Sequence, residues 1–215
     1  MYVPKHFEQS RLSVLHAFMR EHPFVTLITD GVDGIEANHV PVILDTTCGE
    51  LGTLQGHVAR ANPVWQQVSP GADVLAIFQG ANAYVSPSWY PSMKKHGKGV
   101  PTWNYLVVHA KGKVRWIQEP DWLLTFLETL TDSHEKNLAT RWKVSDAPSD
   151  YIEAMMKCIV GFEIVATEVK GKWKLSQNRD HSDRLGVISA LAQSSDQAAC
   201  AVAEMMAQAD DGGIT

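Results

Sequence analysis

Between Phe24 and Ile117 the chain reads as one strand after another with a single short helix among them, and that order confines it to a sheet of mainly antiparallel pairs. Phe24 to Thr29 is β-rich and ends at Asp30-Gly31, and Gly34 to Leu44 follows across a short glycine-containing loop, the pattern of a hairpin. Glu50 to Val58 predicts a third strand. Asn62-Pro63 opens a short helix through Val68, and Ser69-Pro70-Gly71 closes it. Asp73 to Phe78 and Ala83 to Val85 predict strands flanking a turn at Gln79-Gly80-Ala81-Asn82. After a loop from Pro87 to Gly99, Val100 to Ile117 alternates Tyr105, Val107 and His109 against Leu106, Val108 and Ala110, which predicts one long strand, bent near Lys111-Gly112.

Helical spacing brackets this block. Leu12, Leu15, Phe18 and Met19 predict an amphipathic helix over Glu8 to Glu21, stopped by Pro23. Trp122, Leu123, Phe126, Leu127 and Leu130 make one apolar face over Glu119 to Glu135, with Pro120 in its first turn. A shorter helix over Pro148 to Lys157 leads into a last strand, Ile159 to Val169, and a basic loop from Lys170 to Arg179. Alanine- and methionine-rich sequence from Asp183 to Ala209 predicts helix broken near Ser194-Ser195, before a frayed Asp210 to Thr215 tail. Strands bunched in this way, without regular helical crossovers, favour an α+β, mainly antiparallel sheet or closed barrel over a doubly wound parallel fold.

Charge is unevenly spread. From Leu51 to Gln118 the only acid is Asp73, against Arg60, Lys94, Lys95, Lys98, Lys111, Lys113 and Arg115, in a chain whose net charge is −5. Phe78 to His109, FQGANAYVSPSWYPSMKKHGKGVPTWNYLVVH, crowds Trp, Tyr, Ser, Asn and Pro around a basic middle. Cations and hydroxyl donors beside aromatic faces suit a planar ligand carrying a phosphate; a solvated hairpin with a lysine-rich turn has the same composition. Three regions could build one such site. Gly56-His57-Val58-Ala59-Arg60-Ala61-Asn62-Pro63 runs a strand into a helix start, Ser86-Pro87-Ser88-Trp89-Tyr90 offers hydroxyls beside rings, and Lys174-Leu175-Ser176-Gln177-Asn178-Arg179 is rich in donors.

Several function classes lack their parts. The pI near 6.0 argues against a broad electrostatic footprint on duplex DNA. No helix-turn-helix with a basic second helix is present, so DNA remains a partner without a supporting motif. There is no GxSxG, GxGxxG after a strand, P-loop, HExxH or His/Cys cluster, and no metal site is expected. Cys48, Cys158 and Cys200 are far apart and fit a reducing compartment. With no signal-peptide run and no apolar stretch of membrane-spanning length, a cytoplasmic location and no membrane partner are expected.

The ordered set MYVPKHF, ANHVPVIL, GHVARANPVW, FQGANAYVSPSWY, VPTWNYLVVHAKG and KLSQNR resembles the PaiB-like family of FMN-binding negative transcriptional regulators, from Met1 to about Arg179. The resemblance implies a Greek-key split β-barrel of the flavin reductase and pyridoxamine-phosphate oxidase kind, a homodimer, and FMN at the subunit interface. It implies a barrel domain over 1–180 and a C-terminal helical extension over 181–215, packed on the barrel or on the partner subunit. Carried over by residue, it places at the flavin Asn38, His39, His57, Ala59, Arg60, Asn62, Ser86, Ser88, Trp89, Tyr90, Trp103, Asn104, Lys174, Ser176, Gln177 and Arg179. Arg60 and one late basic residue would neutralise the phosphate, and Trp89 or Trp103 would border the ring. Catalytic residues stay unassigned. The expected function is an FMN-binding regulator; a flavin-dependent reductase and a cofactor-free protein- or DNA-interaction barrel are the alternatives.

Overall fold

The computed structural model describes residues 1–210. Its strands are β1 (Glu8–Gln9), β2 (Phe24–Gly31), β3 (Gly34–Asp45), β4 (Thr53–Ala59), β5 (Asp73–Val85), β6 (Thr102–Ile117) and β7 (Ile159–Lys174). Its helices are α1 (Leu12–Glu21), α2 (Val64–Gln67), α3 (Pro91–His96), α4 (Pro120–Glu135), α5 (Ser149–Met156), α6 (His181–Ala192) and α7 (Gln197–Asp210). The sheet runs β1-β7-β4-β3-β2-β5-β6, and β7 also pairs with β6, which gives the α+β split-barrel class. The expected tail over Asp210 to Thr215 lies, from residue 211 on, outside the described residues.

The chain forms two compact units, and β5, β6 and β7 each run through both. The first holds Met1–Phe18, Gln79–Val108 and the chain from Lys170 onward; the second holds Met19–Phe78 and His109–Val169.

In the second unit β2 and β3 pair in register from Phe24↔Pro41 to Gly31↔Gly34, and β4 pairs with β7 from Thr53↔Val165 to Ala59↔Ile159. Val25, Leu27, Leu54, Val58, Phe162 and Ile164 are buried on the inward faces. Gly56 faces Phe162 across the ladder, and a Cβ there would stand 2.3 Å from the phenyl ring, so the ring occupies the space a side chain would need. In the first unit Leu15, Phe18, Trp173, Leu175, Leu191 and Met206 are buried, with Phe18 and Trp173 rings 4.9 Å apart.

Three boundaries differ from the sequence reading. The turn expected at Gln79-Gly80-Ala81-Asn82 is strand: β5 continues, but burial switches from Val74, Ala76 and Phe78 to Ala83 and Val85. Likewise β7 continues through the expected loop at Lys170, and burial passes from Val160, Phe162, Ile164 and Ala166 to Trp173. A change of parity, as a β-bulge produces, looks in sequence like the end of a strand. Glu8-Gln9 is not helix; it pairs with Lys172 and Gly171, and the helix begins at Leu12. The break expected near Ser194-Ser195 is present between α6 and α7.

Candidate functional site

The expected site residues fall into two groups, one in each unit. In the first unit Ser86 caps the 3-10 turn Pro87–Trp89: its Oγ accepts from Ser88 N–H at 3.3 Å and lies 2.7 Å from Ser88 Oγ. Pro91 then starts α3, which ends at Gly97 in the left-handed region (φ +62°), leaving Lys94, Lys95 and His96 in its last turn. Buried Asp183 of α6 anchors this helix, accepting from Ser92 N–H at 3.0 Å and Ser92 Oγ–H at 2.6 Å. Tyr90 is buried beneath the Arg179 guanidinium, 4.9 Å from its ring centre.

Trp103 and Asn104 are neighbours on β6 and so point to opposite faces. Trp103 is exposed, with its ring edge-on to Tyr84 at 6.2 Å; Asn104 is fully buried and donates to Ser176 Oγ at 3.0 Å and to Met206 Sδ at 3.3 Å. Ser176 has φ +64°, the one non-glycine residue in the left-handed region among the described residues. The tight turn there is braced by Gln177, whose Oε1 accepts from Leu175 N–H at 2.8 Å and whose Nε2 donates to Trp173 O at 2.6 Å. Asn104, Ser176 and Gln177 therefore shape the loop from which Lys174 and Arg179 project.

Lys174 Nζ donates to Thr102 Oγ1 at 2.5 Å and to the Trp103 carbonyl, and lies 5.9 Å from the Phe7 ring centre. Burial, then the charges of Lys172 and Arg179, hold its pKa below the ordinary lysine value. Among the described residues no carboxylate is within ion-pair distance of Lys172, Lys174 or Arg179; the ion pairs Lys111–Glu168, Lys113–Asp73 and Arg115–Glu163 lie in the other unit.

In the second unit Asn38 and His39 also face opposite ways. Asn38 Oδ1 accepts from Asn62 Nδ2 at 2.6 Å while its own Nδ2 is buried without a partner, and His39 is exposed beside Phe24 at 6.3 Å. Asn62 Oδ1 also accepts from Val64 N–H at 3.0 Å. His57 packs edge-on against Phe126 of α4 at 5.7 Å; burial lowers its pKa, and Nδ1 is buried without a partner. Ala59 ends β4 on the surface. Arg60 is already engaged: Nε donates to Lys157 O at 2.7 Å, Nη1 to Gln118 Oε1 at 2.6 Å and Nη2 to Ile159 O at 3.0 Å. Its guanidinium also lies 5.8 Å from the Trp65 ring centre.

Tyr84, Thr102, Ser92 and Asp183 were not singled out in the sequence. Tyr84 and Thr102 carried the signal of lying next to quoted motif residues; Asp183 carried none, because its partner is 91 positions away.

A solved structure similar to this chain is the flavocytochrome Anf3 from Azotobacter vinelandii, with a TM-score of 0.60 and 9% identity over 86% of this chain and 78% of that one. Another is the FAD and heme binding protein from Mycobacterium smegmatis, with a TM-score of 0.56 and 12% identity over 83% and 78%. These likenesses place the fold in the split-barrel class. The family model described as "Putative FMN-binding domain" matches residues 1–168, and the chain belongs to that family. It is 33% identical, over 96% of both chains, to the protease synthase and sporulation protein PAI 2 of Bacillus subtilis.

FMN is the cofactor of that family. The donor chemistry of the first unit fits it: among the described residues no carboxylate forms an ion pair with Lys172, Lys174 or Arg179, and a phosphate dianion would supply that charge. The exposed Trp103 and Tyr84 rings offer π-faces to an isoalloxazine. Asn38 Nδ2 and His57 Nδ1 of the second unit are two further buried polar atoms with no hydrogen-bond partner among the described residues, and the β3–β4 register puts them on opposite faces of the sheet.

Proposed function

We propose that this protein binds FMN at the interface of a homodimer and acts as a regulator of the PaiB-like kind, its bound flavin favouring one dimer arrangement. The observation that carries the reading is the cation cluster of Lys172, Lys174 and Arg179, which has no carboxylate within ion-pair distance among the described residues and whose Lys174 is bonded to the backbone of Trp103. In this reading Lys174 and Arg179 neutralise the phosphate, and Trp103 or Trp89 borders the ring. Asn104, Ser176 and Gln177 position the loop, and Ser86 and Ser88 add hydroxyl donors. Arg60, held by three acceptors of its own chain, braces β4 against the end of α5 and leaves the phosphate to the later cations.

The dimer is supported by the outward face of the β2–β3 hairpin. Phe24 is 65% exposed at one end of that face and Ile35 80% exposed at the other, next to the turn.

The deciding experiment is an absorption spectrum of the purified protein before and after addition of FMN, with fluorescence of the supernatant after denaturation. A bound flavin band released as FMN supports the reading. No band and no spectral change on titration would sink it.

A further inference from the structure

A cavity of about 550 Å³ lies wholly in the first unit, between the exposed aromatic residues and the C-terminal helices. One wall is aromatic: Tyr84 and Trp103, 47% and 53% exposed, with Trp89 beside them. The C-terminal wall comes from α6, the break after it and the start of α7, and contributes Leu191, three alanines including Ala198, Ser194 and Asp196. That wall lies beyond residue 168, where the family match ends. Among the described residues the lining has no Lys, Arg or His; its one charged side chain is Asp196, whose Oδ1 accepts from Ala198 N–H at 2.9 Å and so caps α7.

The lining selects a ligand class. Three aromatic rings and the three C-terminal alanines in one lining suit a flat, apolar-faced molecule. A phosphate or carboxylate would meet Asp196 with no cation to offset it, so the phosphate end of FMN has no place in this cavity. A positive charge, by contrast, gains from both the ring faces and the carboxylate. We infer that the cavity is a second binding site, for a planar aromatic cation of one or two fused rings, of the N-alkylpyridinium or N-alkylquinolinium kind. The inference goes beyond the flavin reading and shares Tyr84, Trp89 and Trp103 with it.

Three probes of matched size test it by calorimetric titration of the full chain above neutral pH, with and without saturating FMN: N-methylquinolinium, uncharged quinoline and 2-naphthoate. The expected order of affinity is quinolinium, then quinoline, with naphthoate not binding. Asp196→Asn keeps a capping oxygen and removes the charge. It should weaken quinolinium about two- to five-fold, the range of an exposed charge contact, and leave quinoline unchanged. Ala198→Leu fills the cavity and should weaken both by more than about ten-fold, while FMN affinity of the same folded variant stays as in the parent. Naphthoate binding as well as quinolinium, or no binding by any probe, overturns the inference. A parallel loss of FMN affinity in Ala198→Leu also overturns it, because the cavity would then be the flavin's own. Should the parent bind no FMN, the flavin reading fails alone, and the quinolinium titrations still decide this one. If Ala198→Leu does not fold, the Asp196→Asn comparison carries the test.

Discussion

Arg60 and Lys174 show how the same residue type can serve structure or ligand, and why the sequence could not separate them. Both lie in quoted motifs, and the family resemblance places both at the flavin, with Arg60 and one late basic residue on the phosphate. The partners that distinguish them are remote: Arg60 reaches acceptors 58 to 99 positions away, whereas Lys174 is bonded to neutral groups and crowded by other cations. Arg60→Ala should therefore cost about 1–3 kcal/mol of unfolding free energy in urea, discounted for its partial exposure, and change FMN affinity less than two-fold. Lys174→Met should weaken FMN by about ten-fold or more, the value of one charge-assisted contact. The opposite ranking in a flavin-fluorescence titration would restore Arg60 to the phosphate. The same lysine sets a pH dependence. Its folded pKa lies below the ordinary 10.5, and its cation is the form that pairs with phosphate. FMN affinity should thus fall as pH rises through that lowered value, with a smaller fall in Lys174→Met. Equal pH profiles for parent and variant would remove Lys174 from the phosphate. His57 titrates in the other window. Burial disfavours its cation, so its imidazole should titrate below 6.5 by NMR, and its neutral form contributes stability above 6.5 that is lost as pH falls toward the folded value. A midpoint at or above 6.5 would contradict the packing against Phe126.

At the scale of elements, hairpin β2–β3, the long strand β6 and helices α1, α4 and α5 were legible because their apolar periodicity is uninterrupted. Strands β5 and β7 were not. Each reverses its buried parity at a polar, glycine-containing stretch, Gln79 to Asn82 and Thr167 to Gly171, and a parity reversal reads as a boundary unless the ladder is known. The loop Pro87 to Gly99 was read as basic and flexible, yet it contains a capped 3-10 turn and α3, held by α6 through Asp183. That hold is a close approach: a Cβ at Gly186 would stand 2.2 Å from Trp89 O, so only glycine lets α6 lie against that turn. Gly186→Ala should destabilise the protein by about 1–3 kcal/mol, the cost of overpacking, and increase protease cutting at Lys94 and Lys95. Unchanged stability and cutting would mean that the turn shifts freely and that the α6 contact does not order it.

At the scale of the whole molecule, the split-barrel class followed from the bunched strands and the quoted motifs, whereas the assembly must be argued from surface chemistry. Strand β3 is paired by β2 from Gly34 to Pro41, but β4 joins it only from Val42 to Asp45, so the first half of β3 has one partner strand among the described residues. The face there carries Phe24, Ile35 and, in the turn, Val32, all more than half exposed. Exposed apolar side chains along a half-open strand offer a pairing surface, charged on this face only at its turn end by Asp30 opposite Ile35, and a second copy is the occupant that our FMN reading calls for. Ile35→Lys places a charge at the turn end of that face without touching the buried side of the hairpin, where Val25, Leu27 and Val40 pack. Light scattering should give the parent a mass of about twice 23.8 kDa and the variant a mass near 23.8 kDa, with the same far-ultraviolet circular dichroism. If FMN sits at the interface, the variant should also lose most of its FMN affinity, and excess FMN should drive it back toward the dimer by mass action. A parent that is monomeric yet binds FMN would confine the cofactor to one chain and leave the exposed hairpin to another partner.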